Sequence, residues 1–154
     1  MDALMLTEAI LQRAPAARPR EKADRPAVAI PVGEFLPLMQ MLRDDPQFAF
    51  DMLLSHTAID WLEQGEFELV YLLYSTELGH HLMVGCRIPR EQPVIPTVSH
   101  LWAIAEWQER EAFDLFGILY DAHPDLRRLF LEDDWEGFPL RKDYEDAHML
   151  RLPK

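Results

Sequence analysis

The stretch FELVYLLYSTELGHHLMVGCRI, residues 67–88, decides the fold of this chain. Large apolar residues stand at every second position in both halves, which is the period of a β-strand with one buried face. These residues are Phe67, Leu69, Tyr71 and Leu73, and then Leu82, Val84, Cys86 and Ile88. We therefore predict a β-hairpin of strands 67–74 and 81–88 at the centre of a sheet, with Cys86 as a small, inert core residue.

The residues before the hairpin predict one helix and two short strands. From Glu34 to Arg43 the apolar side chains recur at helical spacing, which predicts an amphipathic helix. Residues 28–31 are expected to form an edge strand that Pro31 ends, and residues 48–59 a strand entering a turn. Residues 1–25 are rich in Pro, Ala and Arg and predict a flexible N-terminal arm, although the first of them can form two or three helical turns.

The residues after the hairpin predict a second helix and then an irregular segment. We expect the helix to begin with Ser99 as its N-cap and to end at Gly117. Its apolar stripe consists of Val98, Leu101, Trp102, Ala105, Ala112, Phe113 and Phe116. Residues 118–120 predict a short strand. From Asp121 onward turn-forming residues are too frequent for long regular structure.

Together these elements predict an α+β fold. In it a small sheet, mostly antiparallel or mixed, packs in two layers against two to three helices. The chain divides into a flexible arm (1–25), an α+β core domain (26–120) and an extended, irregular C-terminal docking segment (121–154). An extended segment must satisfy its backbone groups by packing on something, and this one is suited to folding against a partner.

Composition excludes several classes of function. The chain has 154 residues and a net charge of −12, which argues against nucleic-acid or anionic-membrane binding because phosphate binding needs clustered cations. No apolar run reaches the ~18 residues of a membrane helix, so we expect no direct membrane insertion. The single Cys86 excludes an internal disulfide, indicates a reducing compartment, and cannot by itself ligate an iron–sulfur cluster.

Glu109 is the most informative charged residue. Helical phase places it on the apolar stripe, where an unpaired carboxylate would be destabilising. We therefore expect an internal ion pair with Arg127, Arg128 or Arg141 that pins the C-terminal segment to the helix. Two other roles stay open, a carboxylate that pairs across a protein interface and a general acid with a raised pKa.

The neighbouring charges do not form a catalytic pair. Glu106, Arg110 and Asp114 are spaced four residues apart, which predicts an exposed ladder of charges along the helix. Glu111 lies on the opposite side of the helix from Glu109, so the two carboxylates cannot act together.

The histidines and the acidic segment predict no metal site. His123 precedes Pro124 in a turn and is interpreted as structural, and His80 and His81 at the hairpin turn are expected to be exposed. No two histidines have the spacing of metal ligands on a helix. Residues 133–137 are acidic but lack the ligand spacing of an EF-hand. We therefore expect no catalytic, cofactor-binding or metal-binding residue in this chain.

Two motifs resemble a known family. EREAFDLFGILYDAHPDLRR (residues 109–128) and DDWEGFPLRKDY (133–144) closely resemble the signature of one family of respiratory complex I subunits. This is the family of the C subunit, called NuoC in bacteria and the 30-kilodalton subunit in mitochondria. The hairpin and the segment PTVSHLWAIAEWQERE (96–111) are also similar to that family. The resemblance runs from about Pro26 to Tyr144.

The resemblance implies a non-catalytic subunit in the peripheral arm of a proton-translocating NADH:quinone oxidoreductase. That complex moves electrons from NADH through FMN and iron–sulfur clusters to quinone, and these cofactors are expected in partner subunits, with none in this chain. The implied partners are the hydrogenase-large-subunit-like subunit that forms the quinone site and its cluster-bearing neighbours. The implied location is peripheral, at the cytoplasmic face of the bacterial inner membrane.

The family's signature residues carry over by position and are interpreted as folding and docking residues. They are Glu109, Arg110, Glu111, Asp114, Phe116, Gly117, His123, Pro124, Leu126, Arg127, Arg128, Asp134, Trp135, Gly137, Pro139, Leu140, Arg141, Lys142, Asp143 and Tyr144. One departure is Ala122, where the family usually has Gly, and it puts a positive-φ turn at that position in doubt.

Two alternatives remain. Related subunits occur in membrane-bound hydrogenases and in ferredoxin- or F420-linked quinone reductases, and this chain alone cannot separate these complexes because electron input occurs in other subunits. A more distant alternative is a stand-alone acidic hydrolase that uses Glu109 and Glu111.

Overall fold

The computed structural model describes residues 1–149, so the last five residues of the expected docking segment lie outside the described residues. Over this range the helices are α1 (Ala3–Arg13), α2 (Phe35–Asp44) and α3 (Ala105–Phe116). The strands are β1 (Arg18–Pro19), β2 (Ala27–Ala29), β3 (Met52–Trp61), β4 (Glu66–Tyr74), β5 (His81–Pro89), β6 (Val94–Pro96) and β7 (Leu119–Asp121). Short 3-10 helices, Val32–Glu34 and Leu62–Gln64, precede α2 and β4.

The predicted hairpin is the centre of the main sheet. Strands β4 and β5 pair antiparallel, with Tyr71 opposite Val84. In the part of the chain that the structure describes, the strand order is β1-β2-β5-β4-β3. Strand β3 pairs antiparallel with β4 and has an irregularity between Leu53 and Ser55. The prediction of a central hairpin is therefore confirmed.

Strand β2 is an interior strand, so the prediction of an edge strand there is wrong. Val28 pairs in parallel with Val84 of β5, and on its other side β2 pairs with β1, where Pro19 lies opposite Val28. The sheet is therefore mixed. Its outer strand β1 contains Pro19, which lacks the N–H that a further strand would need.

The N-terminal residues pack on the core, which corrects the expected flexible arm. Helix α1 begins after Asp2, whose Oδ1 accepts the N–H of Met5 at 2.9 Å. Leu6 and Ile10, one turn apart, are buried in the core. Two apolar side chains on one helical face supply the burial that a solvated arm lacks. The early helical turns are confirmed, while the boundary between the core domain and the C-terminal segment stays a prediction.

Helices α2 and α3 cover the same face of β4. The ring of Phe35 on α2 lies 5.1 Å from that of Tyr71, and the ring of Phe116 on α3 lies 6.1 Å from that of Phe67. Tyr71 and Phe67 are both in the inward phase of β4, so the helices form one layer and the sheet the other. The predicted α+β fold is confirmed. Cys86 is buried in this core as predicted, and burial raises its pKa to about 12.

Helix α3 begins at Ala105, later than predicted. The Ser99 N–H donates to the Thr97 hydroxyl at 3.0 Å, so this segment forms a turn in which Ser99 is not the N-cap. Helix α3 ends at Gly117, which has a positive φ of 77° as predicted for a C-terminal glycine. Just before the turn, β6 pairs in parallel with β7, a pairing that the proline-rich sequence of residues 89–96 concealed.

Residues 122–149, here called the strap, contain neither helix nor strand, which confirms the predicted irregular segment.

One prediction about the hairpin turn is wrong. His80 is buried, and its Nε2 lies 2.8 Å from the carbonyl oxygen of Phe48, whereas His81 is exposed. Among residues 1–149, no helix is long and apolar enough to cross a membrane.

Candidate functional site

The strap is fixed to α3 through the carboxylate of Asp114. Asp114 is fully buried, and its Oδ2 accepts the backbone N–H groups of Leu129 at 3.2 Å, Phe130 at 2.7 Å and Leu131 at 3.0 Å. The Arg128 guanidinium donates to Oδ1 at 3.2 Å. Burial raises the pKa of Asp114, but these donors outweigh it and hold the pKa below its usual value. The carboxylate therefore stays ionised and orders the start of the strap.

Arg128 also closes the loop that follows it. Its Nη2 donates to the carbonyl oxygens of Trp135 at 3.1 Å and Gly137 at 3.4 Å. From α3, Arg110 donates to the carbonyl oxygens of Arg127 and Arg128, each at 3.1 Å. Arg110 and Asp114 are both buried, so the prediction of an exposed charge ladder is wrong. The strap supplies partners for these charges, and this was not visible from helical spacing.

The middle of the strap is held by stacked rings and guanidinium groups. The Arg141 guanidinium lies 5.3 Å from the ring centroid of Phe67 and 4.8 Å from that of Phe138. Its Nε donates to the carbonyl oxygen of Phe116 at 2.7 Å, next to the C-terminus of α3. A Cβ at Gly117 would lie 2.6 Å from Phe138 and 2.7 Å from Arg141. Glycine is therefore required at position 117 for two reasons: the backbone has a positive φ, and the strap lies too close for a Cβ.

The end of the strap is tied to β3 and β5 through Asp60. This buried carboxylate accepts two hydrogen bonds from Arg90, at 2.8 and 3.0 Å, and one from the backbone N–H of Lys142 at 2.9 Å. Arg90 also donates to Asp143 at 2.8 Å. Sequence reasoning missed Asp60 and Arg90. The signal that could have found Asp60 is its place in the inward phase of β3, after His56 and Ala58.

The turn at the start of the strap keeps a positive φ without glycine. Ala122 has a φ of 64°. The positive-φ turn is therefore present at this position, although the chain has Ala where the family usually has Gly. His123 follows it, and its Nε2 lies 3.0 Å from the carbonyl oxygen of Glu106, while its Nδ1 accepts the N–H of Asp125. His123 therefore orders the turn within the chain, and its role as a family signature residue stays a prediction.

Glu109 pairs with none of the three arginines predicted for it, Arg127, Arg128 and Arg141, so the preferred prediction of an ion pair is wrong. It is fully buried, and its carboxylate accepts the N–H of Val98 at 2.8 Å and the hydroxyl of Thr97 at 2.6 Å. Burial raises the pKa of Glu109 to about 7, although both hydrogen bonds favour the charged form. The three arginines instead bind Asp125, Asp114 and the carbonyl oxygen of Phe116. Glu109 thus orders the turn before α3.

The groups around Glu109 are buried and uncharged at neutral pH. His56 Nε2 lies 2.5 Å from the Tyr120 hydroxyl, and its Nδ1 lies 3.1 Å from the carbonyl oxygen of Val70. Burial lowers the pKa of His56 to about 4. Burial also raises the pKa of Tyr71 and Tyr120, and the nearby Glu109 raises both further. His56, Tyr71 and Tyr120 therefore provide no positive charge to stabilise the Glu109 carboxylate.

The site is suited to holding chain segments together. Glu109 is fully buried and Glu111 is exposed on the other side of α3, so the geometry gives the hydrolase hypothesis no support. Within residues 1–149, no group of three His, Cys, Asp or Glu side chains is placed to hold a metal ion.

The exposed surface of the strap carries large apolar side chains, of which Phe130 is 64% exposed and Leu140 51%. Such side chains are common in protein interfaces.

Comparison with known families identifies the chain. Residues 28–148 match the family described as the respiratory-chain NADH dehydrogenase 30 Kd subunit. The chain belongs to this family. The match includes the hairpin, α3 and nearly all of the strap, and the resemblance seen in the sequence is thereby confirmed.

Curated members of the family are similar over most of the chain. It is 41% identical to the C subunit of the NADH-quinone oxidoreductase of Chlorobium phaeobacteroides, over 73% of this chain and 70% of that protein. It is 41% identical to the C subunit of the Moorella thermoacetica enzyme, over 81% of this chain and 83% of that protein. It is also 48% identical to the C/D subunit of the Phocaeicola vulgatus enzyme, over 63% of this chain but only 19% of that longer protein.

Two solved structures share the fold. One is a chain of the membrane-bound sulfane sulfur reductase, described as an archaeal respiratory membrane complex, with a TM-score of 0.80 and 31% identity. The match covers 94% of this chain and 86% of that chain. The other is the trypsin-resistant fragment (1–134) of Nqo5, with a TM-score of 0.68 and 28% identity, and the match covers 82% of this chain and all of that fragment. The fold of the family is therefore the fold described above.

The structure brings most of the signature residues together around the strap. Arg110, Asp114, Phe116 and Gly117 form the α3 side of the contact, and Arg128, Gly137 and Arg141 form the strap side. Glu109 and Glu111 do not take part in it. The role of the signature residues in docking stays a prediction, because the contacts described are all within one chain.

Proposed function

We propose that this chain is a structural, non-catalytic subunit of an NADH-quinone oxidoreductase and that the strap carries the surface by which it docks. The observation that carries this proposal is the strap itself. It has no helix or strand, yet buried Asp114, Arg110 and Asp60 fix it to the core in one conformation. A segment ordered in this way presents its exposed side chains with little entropy left to lose on binding.

The redox cofactors are proposed to lie in partner subunits. FMN, the iron–sulfur clusters and quinone of the complex would be bound there, and this chain would hold none of them. The donor set of the chain supports this assignment. Its single thiol, Cys86, is buried, with a pKa of about 12, whereas a cluster requires several thiolates.

The principal partner is proposed to be the hydrogenase-large-subunit-like subunit that forms the quinone site, with cluster-bearing subunits as further neighbours. The C/D protein of Phocaeicola vulgatus supports a direct contact with one large neighbouring subunit, because in that relative the part that matches this chain shares one polypeptide with a D part. Two proteins that are fused in one organism are often neighbours in another. We further propose a peripheral location at the cytoplasmic face of the bacterial inner membrane.

A second candidate is the equivalent subunit of a related respiratory complex. The fold matches a chain of the sulfane sulfur reductase with a TM-score of 0.80 over 94% of this chain. A membrane-bound hydrogenase or a ferredoxin- or F420-linked quinone reductase would use a subunit of the same kind. The two candidates differ in the electron-input subunits and not in this chain.

Purification of the tagged full-length chain from membranes of its own organism tests both candidates. Co-purifying subunits would be identified by mass spectrometry, and NADH-dependent quinone reduction would be assayed. A quinone-site subunit together with a flavin-binding NADH module supports the first candidate, and the same subunit with a different input module supports the second. Recovery of the chain without any redox subunit would contradict both.

A further inference from the structure

The part of the strap closed by Arg128 forms an exposed loop. Residues 129–137, here called the aromatic loop, are held at one end by three N–H groups on Asp114 and at the other by Arg128 on the carbonyl oxygens of Trp135 and Gly137. The Trp135 N–H donates to the carbonyl oxygen of Glu132 at 3.0 Å, which makes a turn at the tip. The loop is therefore ordered before any partner binds.

Two aromatic side chains of this ordered loop are exposed. Phe130 is 64% exposed and Trp135 is 39% exposed. Large rings on an ordered loop are unfavourable in water and are typical anchors of protein interfaces. Trp135 is partly held within the chain, because its side chain hydrogen-bonds to Tyr144, so Phe130 is the more exposed and the freer of the two rings. The other aromatic residues of the strap pack within it, Phe138 on Gly117 and Arg141 and Tyr144 on Gly137.

The negative charge around these two rings indicates the kind of surface that the loop would bind. The loop contains four carboxylates and no Lys or Arg, namely Glu132, Asp133, Asp134 and Glu136. All four are exposed, and among the described residues none of them forms an ion pair or a side-chain hydrogen bond. The nearest cation in sequence, Arg128, is directed inward to Asp114. A surface of this kind is complementary to an apolar pocket surrounded by Lys and Arg.

We propose that the aromatic loop inserts Phe130 and Trp135 into a cationic, apolar-lined pocket on a neighbouring protein subunit, an inference that rests on the proposed function. An anionic lipid surface or a nucleic acid would be repelled by the four carboxylates. A second copy of this chain is also unfavourable, since each copy carries a net charge of −12. A basic protein surface is the occupant that satisfies both the rings and the charges.

Binding of the full-length chain to membranes from a strain that lacks it tests this proposal. The neutral variant E132Q/D133N/D134N/E136Q removes the four charges at nearly constant size. A matched control, E8Q/E21Q/E63Q/E77Q, removes the same charge from exposed positions outside the strap. Phe130→Ala removes one ring and no charge. Affinity would be measured at several salt concentrations, with thermal unfolding midpoints to verify folding.

The loop-neutral variant is expected to bind about tenfold more weakly than the control variant, with a shallower salt dependence. Phe130→Ala is expected to lose about tenfold in affinity with the salt dependence of the wild type. Equal binding of the loop-neutral and control variants, or unchanged binding of Phe130→Ala, would overturn the proposal. Failure of the wild-type chain itself to bind would instead overturn the proposed function.

Discussion

Buried Asp114 of α3 and partly buried Arg128 of the strap form an ion pair, with 3.2 Å between Oδ1 and Nη1. The same carboxylate binds three backbone N–H groups, and the same guanidinium binds three carbonyl oxygens, those of Trp135, Gly137 and Asp114 itself. Both oxygens of the carboxylate and both terminal nitrogens of the guanidinium thus have hydrogen-bond partners, which is the condition under which burial of a charged pair is tolerated. The pair is the point from which the strap's conformation is set.

Asp114→Asn should release the strap. The amide is neutral, and its N–H₂ group would face the Arg128 and backbone donors that the carboxylate now accepts. Loss of one member of a buried pair costs roughly 3 kcal/mol. We expect the free energy of unfolding, measured in urea, to fall by about that amount. Glu111→Gln on the exposed side of the same helix is the control and should change it by less than about 0.5 kcal/mol.

Gly117→Ala should be costlier than the same change at another positive-φ glycine. Gly117 (φ +77°) has Phe138 and Arg141 within 2.7 Å of the position of an added Cβ, whereas Gly65 (φ +68°) has nothing within 4 Å. We expect a loss of about 1 kcal/mol at Gly65 from backbone strain alone, and of about 3 kcal/mol at Gly117 from strain and overpacking. Equal losses, measured by chemical denaturation, would show that the strap does not contact Gly117.

Arg90→Lys should expose the end of the strap to trypsin. Arg90 joins Asp60 to Asp143, while Asp60 also holds the Lys142 N–H. Lys cannot make both bidentate contacts, so we expect faster cleavage after Arg141 and Lys142, followed by mass spectrometry. Arg87→Lys, at an exposed pair with Glu66, is the control. Identical cleavage rates for the two variants would contradict the role given to Arg90.

Glu109→Gln should change how stability depends on pH. The folded-state pKa of Glu109 is raised to about 7 from an ordinary value of 4.5, so the stability that the protonated Glu109 contributes is lost as the pH rises from about 4.5 to 7, by roughly 3 kcal/mol at most. Glutamine does not titrate. The difference in unfolding free energy between the Glu109→Gln variant and the wild type should therefore grow in favour of the variant over this range. A constant difference would mean that the carboxylate keeps an ordinary pKa.

His56 changes the stability with pH in the opposite direction to Glu109, so the variant must be compared with the wild type at each pH. Its folded-state pKa is lowered to about 4 from 6.5, so the protein loses stability as the pH falls below about 6.5. Between about pH 4.5 and 6.5 the two residues partly cancel in the wild type. Subtraction of the Glu109→Gln profile isolates the contribution of Glu109.

Ala122→Gly should stabilise the chain. Ala122 has a φ of 64°, a conformation that costs an alanine roughly 1 kcal/mol and a glycine almost nothing. We expect a higher thermal unfolding midpoint for this variant. Ala103→Gly, at an exposed position with an ordinary φ, should lower the midpoint because glycine gains entropy in the unfolded chain.

The local parts of the fold could be predicted from the sequence. The hairpin followed from alternation of apolar residues, α2 from helical spacing, and the end of α3 from Gly117. The start of α3 could not be predicted, because Ser99 has the residue type of an N-cap while Thr97 and Glu109 hold its segment in a turn. The interior position of β2 depends on its pairing with residues 18–19, whose composition favours loops.

The charged contacts were harder to predict. Helical phase shows on which side of a helix a charged side chain lies, but it does not show which residue binds that side chain. Glu109 was correctly placed on the buried side, but the donor it binds comes from a turn eleven residues earlier. Arg110 and Asp114 were placed in solvent because the strap that covers them has no periodic pattern. Asp60 and Arg90 meet the strap through contacts 53 to 82 residues apart in sequence, which no local signal encodes.

The most direct test of the central claim is turnover per assembled complex. NADH-quinone reductase activity and the amount of complex would both be measured in membranes of a strain that carries Asp114→Asn in place of the wild-type chain. Our account predicts less assembled complex, with unchanged turnover per complex that contains the variant. A normal amount of complex with lost turnover would contradict a structural role and indicate that this chain takes part in the chemistry.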